Sequence, residues 1–169
     1  MPMSEGPAIA VSVDYFSPIP VTSPGNTYIL FFTDRFSRRA DMFTVTAAEF
    51  TAEDTADILI NEYILFWGCP RSILSDNGRH FFLKLLHAVD TLFGVRKIAT
   101  ISYNPNEKGG VERVNHTMVH MLAMLVNELQ NNWDEQLPHV EFEYNNSVSA
   151  ATGLAPNEVH MWVGLHASL

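Results

Sequence analysis

A chain of 169 residues is the size of one domain and can bury a core without disulfides or structural metals. With 47 % apolar and 17 % charged residues it reads as neither disordered nor coiled coil. The net charge of -9 runs against a polyanionic partner, unless the carboxylates hold cations or basic modules sit elsewhere in a longer protein. The lone cysteine, Cys69, excludes a disulfide framework and a Cys-rich zinc site, and suits a reducing setting. No basic-then-apolar signal peptide opens the chain, and the apolar runs at 28–32 and 121–126 are too short to span a bilayer. A soluble domain without a membrane partner is expected.

Residues 9–15 alternate apolar with small or acidic positions, which predicts a strand carrying Asp14 at its end. Turn chemistry follows at Pro18, Pro20, Pro24 and Gly25-Asn26. Residues 28–33 and 42–46 predict two further strands, joined as a hairpin through the polar segment 34–39, so three early antiparallel strands are expected. Thr51 then caps a predicted helix, with Glu53 and Asp54 near the positive end of its dipole. Its apolar positions Ala56, Leu59, Ile60, Tyr63, Ile64 and Trp67 recur at helical spacing, and Gly68 and Pro70 end it. A short strand at 72–75, a helix at 81–93 stopped by Gly94, and a fifth strand at 96–101 come next.

A polar loop is predicted at 102–110, with Gly109-Gly110 as a hinge before a long helix at 111–130. Helices at 133–144 and 156–161 complete the order. Strands first, then alternating helices and strands, then helices, indicate an α/β domain: a five-stranded mixed sheet flanked by helices.

Three acids stand where a metal site wants them. Asp14 ends the first strand, Asp76 follows the fourth at the Asn77-Gly78 turn, and Glu112 opens the long helix. Between the last two lie 35 residues. Carboxylates at neighbouring strand ends, joined by one from an adjacent helix, can converge on one point and ligate hard divalent cations such as magnesium. Two such ions would clamp the attacking and leaving oxygens of a phosphoryl displacement, with Asp14 bridging both and Asp76 and Glu112 each holding one. Taken singly each acid is ordinary, because aspartates form turns and first-turn glutamates complement helix dipoles.

The surrounding sequence makes the pattern specific. Val13-Asp14-Tyr15, Thr33-Asp34-Arg35-Phe36-Ser37, Phe66-Trp67-Gly68-Cys69-Pro70 and Leu74-Ser75-Asp76-Asn77-Gly78 resemble, in order, the integrase core of gypsy-type LTR retrotransposons. The same holds for Tyr103-Asn104-Pro105, Gly110-Val111-Glu112-Arg113-Val114-Asn115, Trp133-Asp134-Glu135-Gln136-Leu137-Pro138, Glu143-Tyr144-Asn145-Asn146-Ser147 and Thr152-Gly153-Leu154-Ala155-Pro156. The resemblance runs over about residues 8–164 of a single 1–169 domain. Its acid triplet is the D,D(35)E pattern shared with retroviral integrases.

The resemblance implies a ribonuclease H-like fold and an enzyme, a metal-dependent polynucleotidyl transferase and endonuclease. It implies two Mg2+ or Mn2+ ions per active site and double-stranded DNA, both element ends and target, as substrate. The reactions would be 3′-end processing and strand transfer. A homodimer or higher oligomer is implied too, and a location, nuclear or cytoplasmic, that gives access to chromosomal DNA. Zinc-binding and basic DNA-binding modules normally flank such a core, and neither is present in this sequence. A catalytically inactive or host-adopted module that keeps the fold for DNA binding or dimerisation is the alternative, to which the acidic charge lends some weight.

Candidate DNA contacts are Asn115, His116 and Arg113 near Glu112, with Tyr103 and Lys108 before it. Each also reads as ordinary polar surface, or as core in the case of Tyr103. His116 stands where relatives resemble one another in carrying arginine or lysine, and Glu107 would repel phosphate. His116 and His120 at i, i+4 can pair on zinc or simply share a helix face. Arg35, Arg38 and Arg39 form the densest basic cluster, either a phosphate contact or a solvated hairpin. Trp67, Trp133, Phe31, Phe32, Phe81 and Phe82 are assigned to packing. Asn145-Asn146-Ser147 matches a glycosylation acceptor that lacks a secretory context.

Overall fold

Alternation along the first strand is answered by two cores, one on each face of a sheet. The computed structural model describes residues 6–17, 19–75, 79–93, 99–100, 105–150 and 152–166. Strands β1 (Ala10–Phe16), β2 (Asn26–Asp34) and β3 (Ala40–Thr46) form the expected antiparallel meander. Strand β4 (Ser72–Leu74) pairs parallel with β1, with Ser12 opposite Leu74. The order is β3-β2-β1-β4-β5, so β1 lies at the centre. Four strands of three or more residues make up nearly all of this mixed sheet. Of the expected fifth strand, 96–101, Ala99–Thr100 form β5, parallel to β4, and the remainder lies outside the described residues.

Val11, Val13, Leu30, Phe32 and Ile73 face one core. Helix α1 (Ala52–Ile58) covers it and winds on through a π-helical segment (Leu59–Ile64) into α2 (Leu65–Trp67), with α3 (Arg79–Phe93) alongside. The Thr51 hydroxyl accepts the Asp54 N–H at 3.0 Å, the cap that the sequence predicts. Gly68, at φ 92°, then turns the chain out of the helix in a conformation that favours glycine.

Ile29, Phe31, Ala40 and Met42 face the opposite core. There α4 (Pro105–Ala123) and α5 (Trp133–Asn146) bury Val114, Met118, Leu122, Trp133, Leu137 and Val140. Helix α6 (Pro156–His166) packs on α5 and outruns the predicted 156–161.

Two expectations are corrected here. Residues 105–110 are helical rather than loop, so Gly109 and Gly110 lie inside α4 and are not a hinge before it. Proline at the first helical position is preorganised for the turn, and burial of Val111 and Val114 outweighs the poor helix propensity of two glycines. Helix α4 also stops at Ala123 instead of continuing to 130. Asn127, Asn131 and Asn132 bond to one another and to local backbone amides, an alternative that asparagine offers the chain in place of helix.

The outer edge of β3 is closed by side chains of α5. Asn145, 2 % exposed, accepts the Ala40 N–H at 3.0 Å and donates to the Ala40 carbonyl at 2.7 Å, as a neighbouring strand would. Glu141, one turn earlier, accepts the Met42 N–H at 2.9 Å. Asn145 therefore serves as an edge cap, and its burial removes it as a glycosylation acceptor.

Candidate active site

The register of the sheet determines which face Asp14 presents. It pairs with Phe31 of β2, which belongs to the α4–α5 core, while its neighbours Val13 and Tyr15 belong to the other. The half-buried Asp14 carboxylate thus points toward α4 from the central strand. Its Oδ2 accepts from Ser12 Oγ at 3.2 Å and from Asn115 Nδ2 at 3.5 Å, a long contact.

Helix α4 is oriented by Val111, Val114, Met118 and Leu122, all buried. Asn115 follows Val114 around the helix and so flanks the core at the level of Asp14. Glu112, three residues earlier and exposed, shares that flank. Asn115 Oδ1 is buried with no hydrogen-bond partner among the described residues, while its Nδ2 is directed at Asp14. Asn115, with its orphaned oxygen, thus joins α4 to Asp14, and Glu112 lies one helical turn before it.

Asp76 lies outside the described residues, as does Tyr103; Lys108 falls within α4, but its side chain is not described. No group of three or more His, Cys, Asp or Glu suited to a metal ion gathers among the described residues. Arg113 and His116 are exposed on α4. The Nε2 atoms of His116 and His120 lie 3.1 Å apart on the exposed helix surface.

The arginine cluster of the hairpin is divided in its duties. Arg39 is almost buried: it pairs with Asp41, donates to Asn157 at 3.0 Å and stacks 4.3 Å from the Trp67 ring centroid. That makes it a strut between β3, α2 and α6 rather than a solvated hairpin residue or a DNA contact. Arg38 turns the other way at φ 65°, toward α4. Asp34 organises the turn between them, accepting from the Ser37 amide at 2.7 Å and hydroxyl at 2.6 Å, with His160 Nδ1 3.6 Å away. Burial pushes this carboxyl up, but hydrogen bonds from His160 and Ser37 outweigh it and hold it below its ordinary range. The Asp34-Arg35-Phe36-Ser37 motif is thus a structural staple, a role its residue types alone do not disclose.

Against this geometry, residues 5–105 match the model of the Integrase core domain. The chain belongs to the integrase core domain family. The matched segment contains Asp14 and Asp76, and Glu112 lies beyond it. The chain is 28 % identical over 159 residues to the Transposon Tf2-3 polyprotein of Schizosaccharomyces pombe, covering 94 % of this chain but 12 % of that curated relative.

Two solved integrases share the fold. The HTLV-2 integrase catalytic core domain in complex with magnesium, in a trimeric form, superposes with a TM-score of 0.70 at 18 % identity, over 93 % of this chain and 99 % of that one. The catalytic core domain of BIV integrase gives 0.70 at 19 % identity, over 96 % and 99 %. This integrase core is thus of the retrotransposon and retroviral type, with an α/β, ribonuclease H-like fold. No helix among the described residues is long and apolar enough to cross a membrane.

Proposed function

We propose that this chain is the catalytic core of a gypsy-type LTR retrotransposon integrase, performing metal-dependent 3′-end processing and strand transfer of element DNA into target DNA. The observation that carries the reading is the contact between Asn115 and Asp14. It sets the Glu112 flank of α4 beside the carboxylate of the central strand, next to a buried amide oxygen that lacks a donor. Asp76 completes the D,D(35)E triplet: it follows Leu74 by two positions, just as Asp14 follows Ser12, the residue opposite Leu74.

The donors are all oxygen, which suits magnesium or manganese, and an orphaned amide oxygen beside them is an acceptor that a hydrated cation satisfies. Held by Asp14, Asp76 and Glu112, two such ions would activate a water or a DNA 3′-hydroxyl and neutralise charge at the phosphate. Asn115 fixes the Asp14 carboxylate by holding Oδ2. Arg113 and His116, with Lys108 and Tyr103, would contact the DNA. Exposed Leu65, Phe66 and Phe142 favour self-association, read as a homodimer. In the whole protein, zinc-binding and basic modules would flank this core, and a nuclear or cytoplasmic location would give it access to chromosomal DNA.

The test is thermal unfolding of the wild type and Asp76→Asn, with and without metal. Carboxylates repel one another in an empty site, so metal at 100-fold over its Kd should stabilise the wild type by about 2.7 kcal/mol and the variant far less. Strand transfer with added flanking modules should require the same residue. A wild type indifferent to both metals would leave the inactive binding module as the better reading.

A further inference from the structure

The solvent side of α4 carries a different set of donors. Val114, Met118 and Leu122, four residues apart, are buried against the sheet, so the positions two residues after Val114 and Met118 face away from it. His116 and His120 occupy those positions, and both side chains are exposed. One helical turn separates them, the spacing at which side chains meet on a helix surface. Their ring centroids lie 4.2 Å apart at an interplanar angle of 66°, and their Nε2 atoms lie 3.1 Å apart.

That last distance is the one two ligands of a single ion require. Zinc binds an imidazole nitrogen at about 2.0–2.1 Å, and two such bonds opening at about 90–110° hold their nitrogens about 2.9–3.4 Å apart. Both rings direct the same nitrogen, Nε2, at one place. A hydrogen bond between them needs a proton on one Nε2 and a lone pair on the other. Between exposed rings that bond competes with water and contributes little. A cation satisfies both lone pairs at once, with each ring keeping its proton on Nδ1.

We infer that His116 and His120 form a binding site for a borderline divalent cation, zinc, nickel or copper(II), on the exposed surface of α4. Imidazole suits these ions, whereas magnesium prefers oxygen, so the pair does not duplicate the carboxylate site proposed around Asp14. Two protein ligands make an open site, whose other positions take water or an incoming donor, unlike the four ligands of a structural zinc site. Such an ion clamps one turn of a helix that the core already holds, and folding does not depend on it. The inference needs neither the acid triplet nor DNA.

Zinc is titrated into the 15N-labelled chain with millimolar magnesium present, and the imidazole nitrogens are followed by NMR. The His116 and His120 rings should shift together to the Nδ1–H tautomer as one ion binds. His116→Gln and His120→Gln replace exposed side chains with a good helix former, so both variants should unfold in EDTA at the wild-type midpoint. Each should weaken the zinc response of the remaining ring by roughly tenfold or more, because the second imidazole no longer acts at high effective concentration. His80 and His87 are the internal control: they are exposed too, but lie two turns apart on α3, and should not respond in the same range of zinc. Rings at 116 and 120 that titrate independently, so that neither substitution affects the other ring, overturn the inference. So does a response of His80 and His87 at the same zinc concentration, or no response of the pair.

Discussion

Glu141 offers a quantitative check on the packing of α5 against the sheet. Burial is the main cause that moves its carboxyl from 4.5 up to about 7; Asp41 adds to the rise, while the Met42 amide and Arg39 oppose it. The folded protein therefore holds this proton more tightly than the unfolded chain does. The Glu141 contribution to stability is then fully present below pH 4.5 and is lost as pH rises through 7. At about 1.4 kcal/mol per unit the whole shift corresponds to roughly 3 kcal/mol, and residual solvent access reduces this to an expected 1–3 kcal/mol.

Glu141→Gln keeps an acceptor for the Met42 N–H at 2.9 Å and carries no charge at any pH. The variant should match the wild type in urea unfolding at pH 4.5 and exceed it by about 1–3 kcal/mol at pH 8, with an unchanged m value. Comparing the two proteins at each pH cancels the groups that do not interact with Glu141. Equal stability at both pH values, or a weaker variant at pH 8, would refute the claim that this carboxylate is penalised by burial.

Two further substitutions test the frame that positions the site. Asn145→Ala strips the β3 edge of both its bonds at Ala40, leaving a buried N–H and C=O without partners; a loss of about 2–4 kcal/mol in chemical denaturation is expected, and less than about 1 would mean that α5 does not close the edge. Thr51→Ala removes the cap of α1 and should cost about 1 kcal/mol, with Thr51→Ser restoring most of it; if serine and alanine behave alike, the hydroxyl is not acting as the cap.

What the sequence discloses follows the range of the interactions concerned. Val11 and Val13 alternate with Ser12 and Asp14 because a strand between two cores must sort its side chains by face, and that pattern is local. The Thr51 cap is local as well. Motif and helical spacing single out Asp14, Glu112 and Asn115 as candidates, with Asn115 as a DNA contact; its contact with Asp14 is seen only in the structure.

The π-helical segment is not legible, since the same apolar positions serve a plain helix. Nor is the role of Gly109-Gly110, because local propensity favours a loop and only packing of Val111 and Val114 reverses it. The Gly110–Arg38 approach and the Asn145–Ala40 pair join residues far apart in the chain, and no periodicity encodes either.

The acidic total likewise says little about where phosphate can bind. Arg39 contributes to the sum of charges, yet it is neutralised by Asp41 and stacked on Trp67, so it offers nothing to a ligand. Its chain neighbour Arg38, in the left-handed conformation, turns the other way and lays its guanidinium against the Gly110 backbone of α4. On α4 and the central strand, Glu112 and Asp14 contribute negative charge to the same sum, which bound cations would offset locally. Adjacent residues of one sign thus serve opposite ends, and local fields between them decide where a polyanion is tolerated.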